Sequence, residues 1–148
     1  MTEAAGPRRR FALGWYNGWS PDERRAATAR QSAAVTRGVL SRPGACSICR
    51  VRRYRGSDNP VWFHDEDYAD PLAAFAICRQ CHRTLHERFE QPAPWRALLH
   101  EHGDGTRWFE ALSMDAAALR QPFTVTYPNG PPHDQRPVVN AARSGSAD

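Results

Sequence analysis

The sequence has no lysine; all 20 of its basic residues are arginine. It also has no long apolar run. The longest, Leu72 to Cys78, is seven residues, and a helix needs about 20 to cross a bilayer. No membrane partner is expected. The N-terminal stretch has basic residues but no apolar core followed by a small-residue cleavage site, so no secretory signal is read there. With a mean hydropathy of −0.69, the chain reads as a soluble, cytoplasmic protein, in a compartment where disulfides are disfavoured. There is no internal repeat beyond two cysteine pairs.

What is present is unevenly placed. Residues 1–55 carry 12 arginines and three acids (Glu3, Asp22 and Glu23), whereas residues 56–148 carry 8 arginines and 13 acids. A coding bias toward arginine explains the missing lysine but not this asymmetry. A basic N-terminal third suggests a polyanionic partner, with nucleic acid first among them.

At 148 residues the chain has room for one domain and a modest core, a size at which folds often need a staple. Residues 1–19 read as a flexible or loosely packed basic and aromatic arm. Residues 20–127 read as the folded domain, and 128–148 as a disordered tail. A helix is expected from Pro21 to about Arg37. Ser20 serves as its N-cap, Glu23 completes a capping box, and Gly38 is the stop. Its apolar residues are mostly alanine, so it reads as a weakly packed helix suited to a surface or a phosphate backbone. Val61–His64 reads as a short strand, "DEDYADP" as a loop, and "LAAFAI" as a second strand entering Cys78. "CHRTLHERF" reads as a helix with His82, Leu85, His86 and Phe89 on one face. Further short helices are expected at "APWRALLHEH", stopped by Gly103, at "TRWFEALS", and at "MDAAALR", capped by Ser113. "PFTVTYPNGPP" reads as extended.

All four cysteines fall in two C-x-x-C pairs, Cys46/Cys49 and Cys78/Cys81, 28 residues apart. This is the spacing at which two thiolates grip one tetrahedral ion from a tight turn. Two pairs with none left over predict a structural zinc site made of all four cysteines, and a thioredoxin-like dithiol would not come as a pair of pairs. Metal binding would add folding free energy directly. A knuckle, a hairpin and then a helix carrying the second pair is the treble-clef arrangement. The fold class expected is therefore α+β, with flanking short helices.

If the cysteines fill that site, His82 and His86 remain, one helical turn apart. His64 ends the first strand, and Asp65, Glu66 and Asp67 follow it. These imidazoles and carboxylates form a candidate second site for Zn²⁺, Ni²⁺, Mn²⁺ or Mg²⁺. The competing reading is that the histidines merely pack the helix face beside Leu85 and Phe89, or that one replaces a cysteine. His100, His102 and His133 read as surface residues.

The segments "ACSIC", "WFHDEDYADPL" and "AICRQCHRTLH" together resemble the zinc-containing HNH (His-Me finger) proteins of bacteria and their phages, over about residues 20–90. The resemblance implies a four-cysteine zinc bracing a ββα-metal core, and a DNA endonuclease activity. It also implies a catalytic divalent ion on His82 and His86, with His64 as general base. That family usually has a metal ligand directly before the base histidine; here Phe63 precedes His64. If His64 is instead the ligand, Asp65 stands at the base position, where an exposed carboxylate of ordinary pKa, about 4, would be a poor base. Ala73 occupies the position where the family often has an asparagine. Arg24, Arg25, Arg30, Arg50, Arg52 and Arg53 are the expected phosphate contacts. The alternative is a non-catalytic zinc module that binds nucleic acid or a protein partner. In that case Trp15, Trp19, Trp95, Trp108 and Phe109 would be its docking aromatics, unless they pack the core.

Overall fold

The computed structural model describes residues 14–52 and 57–130. Among these the chain is α+β: four α-helices, two 3-10 turns and a two-stranded antiparallel sheet. Residues 1–13 of the expected arm, residues 131–148 of the expected tail, Arg53 and His133 lie outside the described residues.

Helix α1 spans Pro21–Thr36. Its start and stop are both written locally. The Ser20 hydroxyl accepts from the Glu23 amide, and Pro21 needs no amide partner at the first position. At the other end Gly38 has φ +73°. There Val39 N donates to Ala34 O (2.9 Å) and Gly38 N to Val35 O (3.0 Å), the double bond of a Schellman stop. The helix is not weakly packed, as its composition suggested. Arg24, Ala27, Gln31 and Ala34 are buried along one stripe, and two of these four are polar because the stripe faces the site described below.

Strand β1 (Val61–His64) pairs with β2 (Phe75–Cys78) in the register Val61↔Cys78 and His64↔Phe75. The second strand is shorter than its sequence suggested, since Leu72–Ala74 is turn. Cys78 ends β2 and at once caps α2 (Arg79–Glu87), its sulphur accepting from the Cys81 amide. The Cys46–Cys49 knuckle is tied to this hairpin through Ser47. Ser47 N donates to Ala76 O at 2.8 Å, and Trp108 Nε1 donates to Ser47 Oγ at 3.0 Å. Trp108 also stacks on Phe75, with centroids 3.9 Å apart. Trp95, Trp108 and Phe109 are thus core residues, while Trp15 is exposed and Trp19 half-buried.

Helix α3 spans Pro92–His102 and stops at Gly103. Beyond it three expectations change. Residues Trp108–Ala111 form a 3-10 turn. Asp115, not Ser113, caps the next turn, Ala116–Leu119; Ser113 Oγ instead accepts from the Asp115 amide. The segment after Pro122 is a short helix, α4 (Phe123–Thr126), not extended chain, because Phe123 turns inward onto Trp19, 5.2 Å between ring centroids.

The Trp15–Trp19 segment packs tightly. Tyr16 and Asn17 are 1% and 0% exposed, and a tight turn pairs Tyr16 with Trp19. Gly18, at φ +87°, donates its amide to Leu119 O, and a Cβ there would lie 2.6 Å from Gln121 O. Gly18→Ala should therefore destabilise the fold by at least about 1–2 kcal/mol from backbone conformation alone, with the clash added. Urea denaturation of both proteins measures this, and equal midpoints would contradict the packing described.

Candidate metal centres

The first cluster is Cys46, Cys49, Cys78 and Cys81, whose sulphurs all lie within 4.8 Å of one another. All four are free thiols, and three are buried. The Cys49 and Cys78 sulphurs are 3.8 Å apart. That is the edge of a tetrahedron whose centre-to-corner bonds are about 2.3 Å. Backbone amides point at the sulphurs: Ile48 N at Cys46 Sγ (3.4 Å) and Cys81 N at Cys78 Sγ (3.5 Å). Hydrogen bonds from Cys46 and Cys81 pull Cys78 far down, contacts with Cys46 and Cys78 push Cys81 far up, and burial pushes Cys49 up to about 11. A cation at the centre resolves that crowding. These four cysteines could hold a metal ion.

The second cluster is His64, His82 and His86, again with ligand atoms within 4.8 Å of one another. His64 comes from the end of β1, the other two from α2. Their rings meet edge to face, at 5.0 Å for His64–His82, 5.1 Å for His64–His86 and 4.6 Å for His82–His86. His82 Nε2 and His86 Nε2 are 2.9 Å apart. Two imidazole nitrogens bonded to one tetrahedral ion at about 2.0–2.1 Å would be about 3.3–3.4 Å apart, a few tenths of an ångström wider than this hydrogen-bond distance. Burial drives both rings toward the neutral, ligand-ready form. It takes His82 down to about 3, and it takes His86 well below the usual value, with His82 and His64 adding to the effect. The four cysteines cluster without any histidine, so none of the three is needed to replace a cysteine.

The carboxylates divide. Asp65 is not the exposed group its sequence suggested. It is buried, accepts from Gln31 on α1, and lies outside the histidine cluster. Asp67 also lies outside the cluster; its carboxylate accepts from the Ala69 amide. Glu66, fully buried, is the acid that meets the site, with Oε1 2.7 Å from His64 Nε2. Burial alone would raise its pKa; the His64 contact, Arg88 and Tyr16 bring it below the ordinary value. Tyr16, Asn17 and Arg88, which surround Glu66, went unnoticed in the sequence. His64-x-Glu66 at a strand end is a detectable local signal; Tyr16 and Asn17, some 50 residues upstream, left none.

Of the arginines expected on phosphates, Arg25, Arg30, Arg50 and Arg52 are exposed, with Arg25 paired to Asp22. Arg24 is buried, donating to Tyr68 Oη (3.1 Å) and Gly14 O (2.6 Å), and is structural. His100 is exposed and His102 half-buried. Among the described residues no helix is long and apolar enough to cross a membrane. Comparison with known proteins finds no family model, no curated protein and no solved structure that matches the chain.

Burial raises the Asp65 pKa to about 7 despite the Gln31 hydrogen bond. The folded chain thus holds this proton more tightly than the unfolded chain, whose value is about 4. Ionising Asp65 therefore removes stability as pH climbs from about 4 to 7. Asp65→Asn keeps an acceptor for Gln31 but cannot ionise. Over that interval the parent should lose up to about 4 kcal/mol more than the variant, read by urea denaturation at each pH. Parallel profiles would contradict the burial of this group.

Proposed function

We propose that this chain is a metal-dependent, HNH-like endonuclease that hydrolyses DNA phosphodiester bonds on a zinc-stapled treble clef. The observation that carries the reading is the convergence of His64, from the end of β1, with His82 and His86, one turn apart on the helix that also carries Cys81. Knuckle, hairpin and helix occur in the order that a treble clef requires. The tetrahedral sulphur spacing and the all-thiol donor set favour zinc at the cysteines.

The histidine geometry favours His64 as an ion ligand over His64 as the base, since its ring shares the cluster and its Nε2 is engaged by Glu66. A divalent ion held by the three rings would offset phosphate charge and acidify a bound water. The chain's own contribution is to hold three imidazoles together, with His82 and His86 driven toward the neutral form by burial. Asp65, with its proton affinity near neutrality, is no longer too weak a base on pKa grounds, although Gln31 holds it toward α1.

Nucleic acid as the partner is supported by exposed Arg25, Arg30, Arg50 and Arg52. A cleft of about 720 Å³, lined in part by Arg42, Arg52 and Trp62 but by none of the three histidines, adds a second basic surface. Arginine beside an exposed indole suits phosphate and base contacts together. A second reading, a non-catalytic zinc module that binds nucleic acid or a protein partner and needs only the structural zinc, is favoured by one observation. The Tyr16 ring closes over His86 and His64, at 4.8 and 5.8 Å.

Supercoiled plasmid separates the two. With Mg²⁺, Mn²⁺, Ni²⁺ or Zn²⁺ supplied, the parent should nick. Neither His64→Ala nor His86→Ala should nick, and both should retain zinc at the cysteines. A folded parent that shifts DNA on a gel and nicks with none of these ions would contradict the enzyme reading.

A further inference from the structure

We infer that Glu66 is the positioning residue of the three-histidine site: it fixes the His64 ring so that Nδ1 is presented to the ion, and the Tyr16–Asn17 turn holds Glu66 in place. This rests on the reading of that site as an ion site and adds how its strand-borne ligand is oriented.

Hydrogen-bond accounting fixes the tautomer. His64 Nε2 is 2.7 Å from Glu66 Oε1. The carboxylate is an acceptor, so the ring nitrogen facing it must carry the hydrogen. The lone pair is then on Nδ1. That atom is buried, and it has no hydrogen-bond partner. A buried, unpartnered lone pair on a ring that meets His82 and His86 edge to face is available to a metal ion. The opposite tautomer would set a lone pair against a carboxylate 2.7 Å away and leave a buried N–H unmatched, a cost that no other contact offsets.

Glu66 is not itself free to bind the ion. Oε1 also accepts from Tyr16 Oη at 2.6 Å, and Oε2 accepts from Asn17 Nδ2 at 2.5 Å. Asn17 Nδ2 also lies 2.9 Å from the Glu66 carbonyl, fixing main chain and side chain together. Behind Tyr16, Arg88 Nη1 donates to its hydroxyl (3.2 Å) and Arg88 Nε to Ser113 O (2.9 Å). The His64 ring is boxed on its remaining sides by Tyr16 and by Trp108, 5.8 and 6.1 Å between centroids. Carboxylates that orient metal-bound histidines commonly change metal affinity by roughly 10–100-fold when removed. The Tyr16–Asn17 turn, itself held by Arg88, meets the carboxylate from some 50 residues upstream, and the product is the orientation of one ring.

The test uses the full chain with zinc kept at the cysteines, and Co²⁺ as the probe of the second site. Co²⁺ bound by nitrogen ligands gives visible absorption, from which a Kd is read for the parent, Glu66→Gln, Tyr16→Phe and His82→Ala. The parent should bind one Co²⁺ beyond the zinc, and His82→Ala should abolish it. Glu66→Gln should weaken binding roughly 10–100-fold with the melting temperature and zinc content close to the parent's, and Tyr16→Phe should weaken it less. If the parent binds Co²⁺ and Glu66→Gln binds it within about 3-fold, a range well short of that expected for an orienting carboxylate, this inference is overturned while the ion site stands. If the parent takes no second ion, the ion site itself fails and this inference with it. Should Glu66→Gln not fold, the ring nitrogens of His64 decide the matter by NMR on the unaltered, Zn²⁺-loaded protein. A hydrogen on Nε2 supports the inference, and a hydrogen on Nδ1 overturns it.

Discussion

Helix α2 contributes to two side-chain clusters at once, one of thiols and one of imidazoles, and much of the surrounding structure meets one or the other. Within the stretch from Cys78 to His86 it carries two thiols and two imidazoles. Successive residues on a helix are turned by about 100°, so Cys81 and His82 cannot face the same ion. The helix therefore presents sulphur on one side and nitrogen on the other. A knuckle comes to the first side, and the end of β1 to the second. The hairpin register makes both possible, since it puts Cys78 opposite Val61 and His64 opposite Phe75.

A sheet of two four-residue strands supplies little core, and the surrounding packing is rich in polar groups as a result. Arg24, Gln31, His64, Asp65, Glu66, Arg88 and Arg107 are all buried. Each such group costs free energy unless it is matched, typically about 1–3 kcal/mol for an unpaired donor or acceptor. Several find partners across large sequence distances, as Arg24 does with Tyr68, Gln31 with Asp65 and Arg88 with Tyr16. Such a network specifies one arrangement sharply, because removing any member strands its partners. It also explains why α1, poor in large apolar residues, still packs firmly: its buried stripe is half polar and meets polar partners.

The elements that were legible in the sequence are those written in local chemistry. Ser20, Pro21 and Gly38 bound α1 as expected, and the two C-x-x-C pairs located the sulphur cluster. The i, i+4 spacing of His82 and His86 put both on one helix face. What was not legible depends on contacts between distant segments. Nothing near Asp65 indicates that Gln31 will bury it, so its sequence suggested exposure and an ordinary carboxylate. Nothing near Tyr16 or Asn17 indicates that they will reach Glu66. Arg24 looked like a phosphate contact because it sits in a basic run, yet the helix phase turns it inward. After Pro122 the residues favour strand by propensity, and tertiary packing of Phe123 overrides that preference.

The proposed ion site on the three histidines, separate from the cysteines, is the claim on which the functional reading turns. Native mass spectrometry of the full chain, after exchange into a metal-containing volatile buffer, counts bound ions directly. Two ions are expected in the parent, and one in a His82→Ala/His86→Ala variant of unchanged charge-state distribution. A parent that carries only one ion at saturating metal would contradict the separate histidine site.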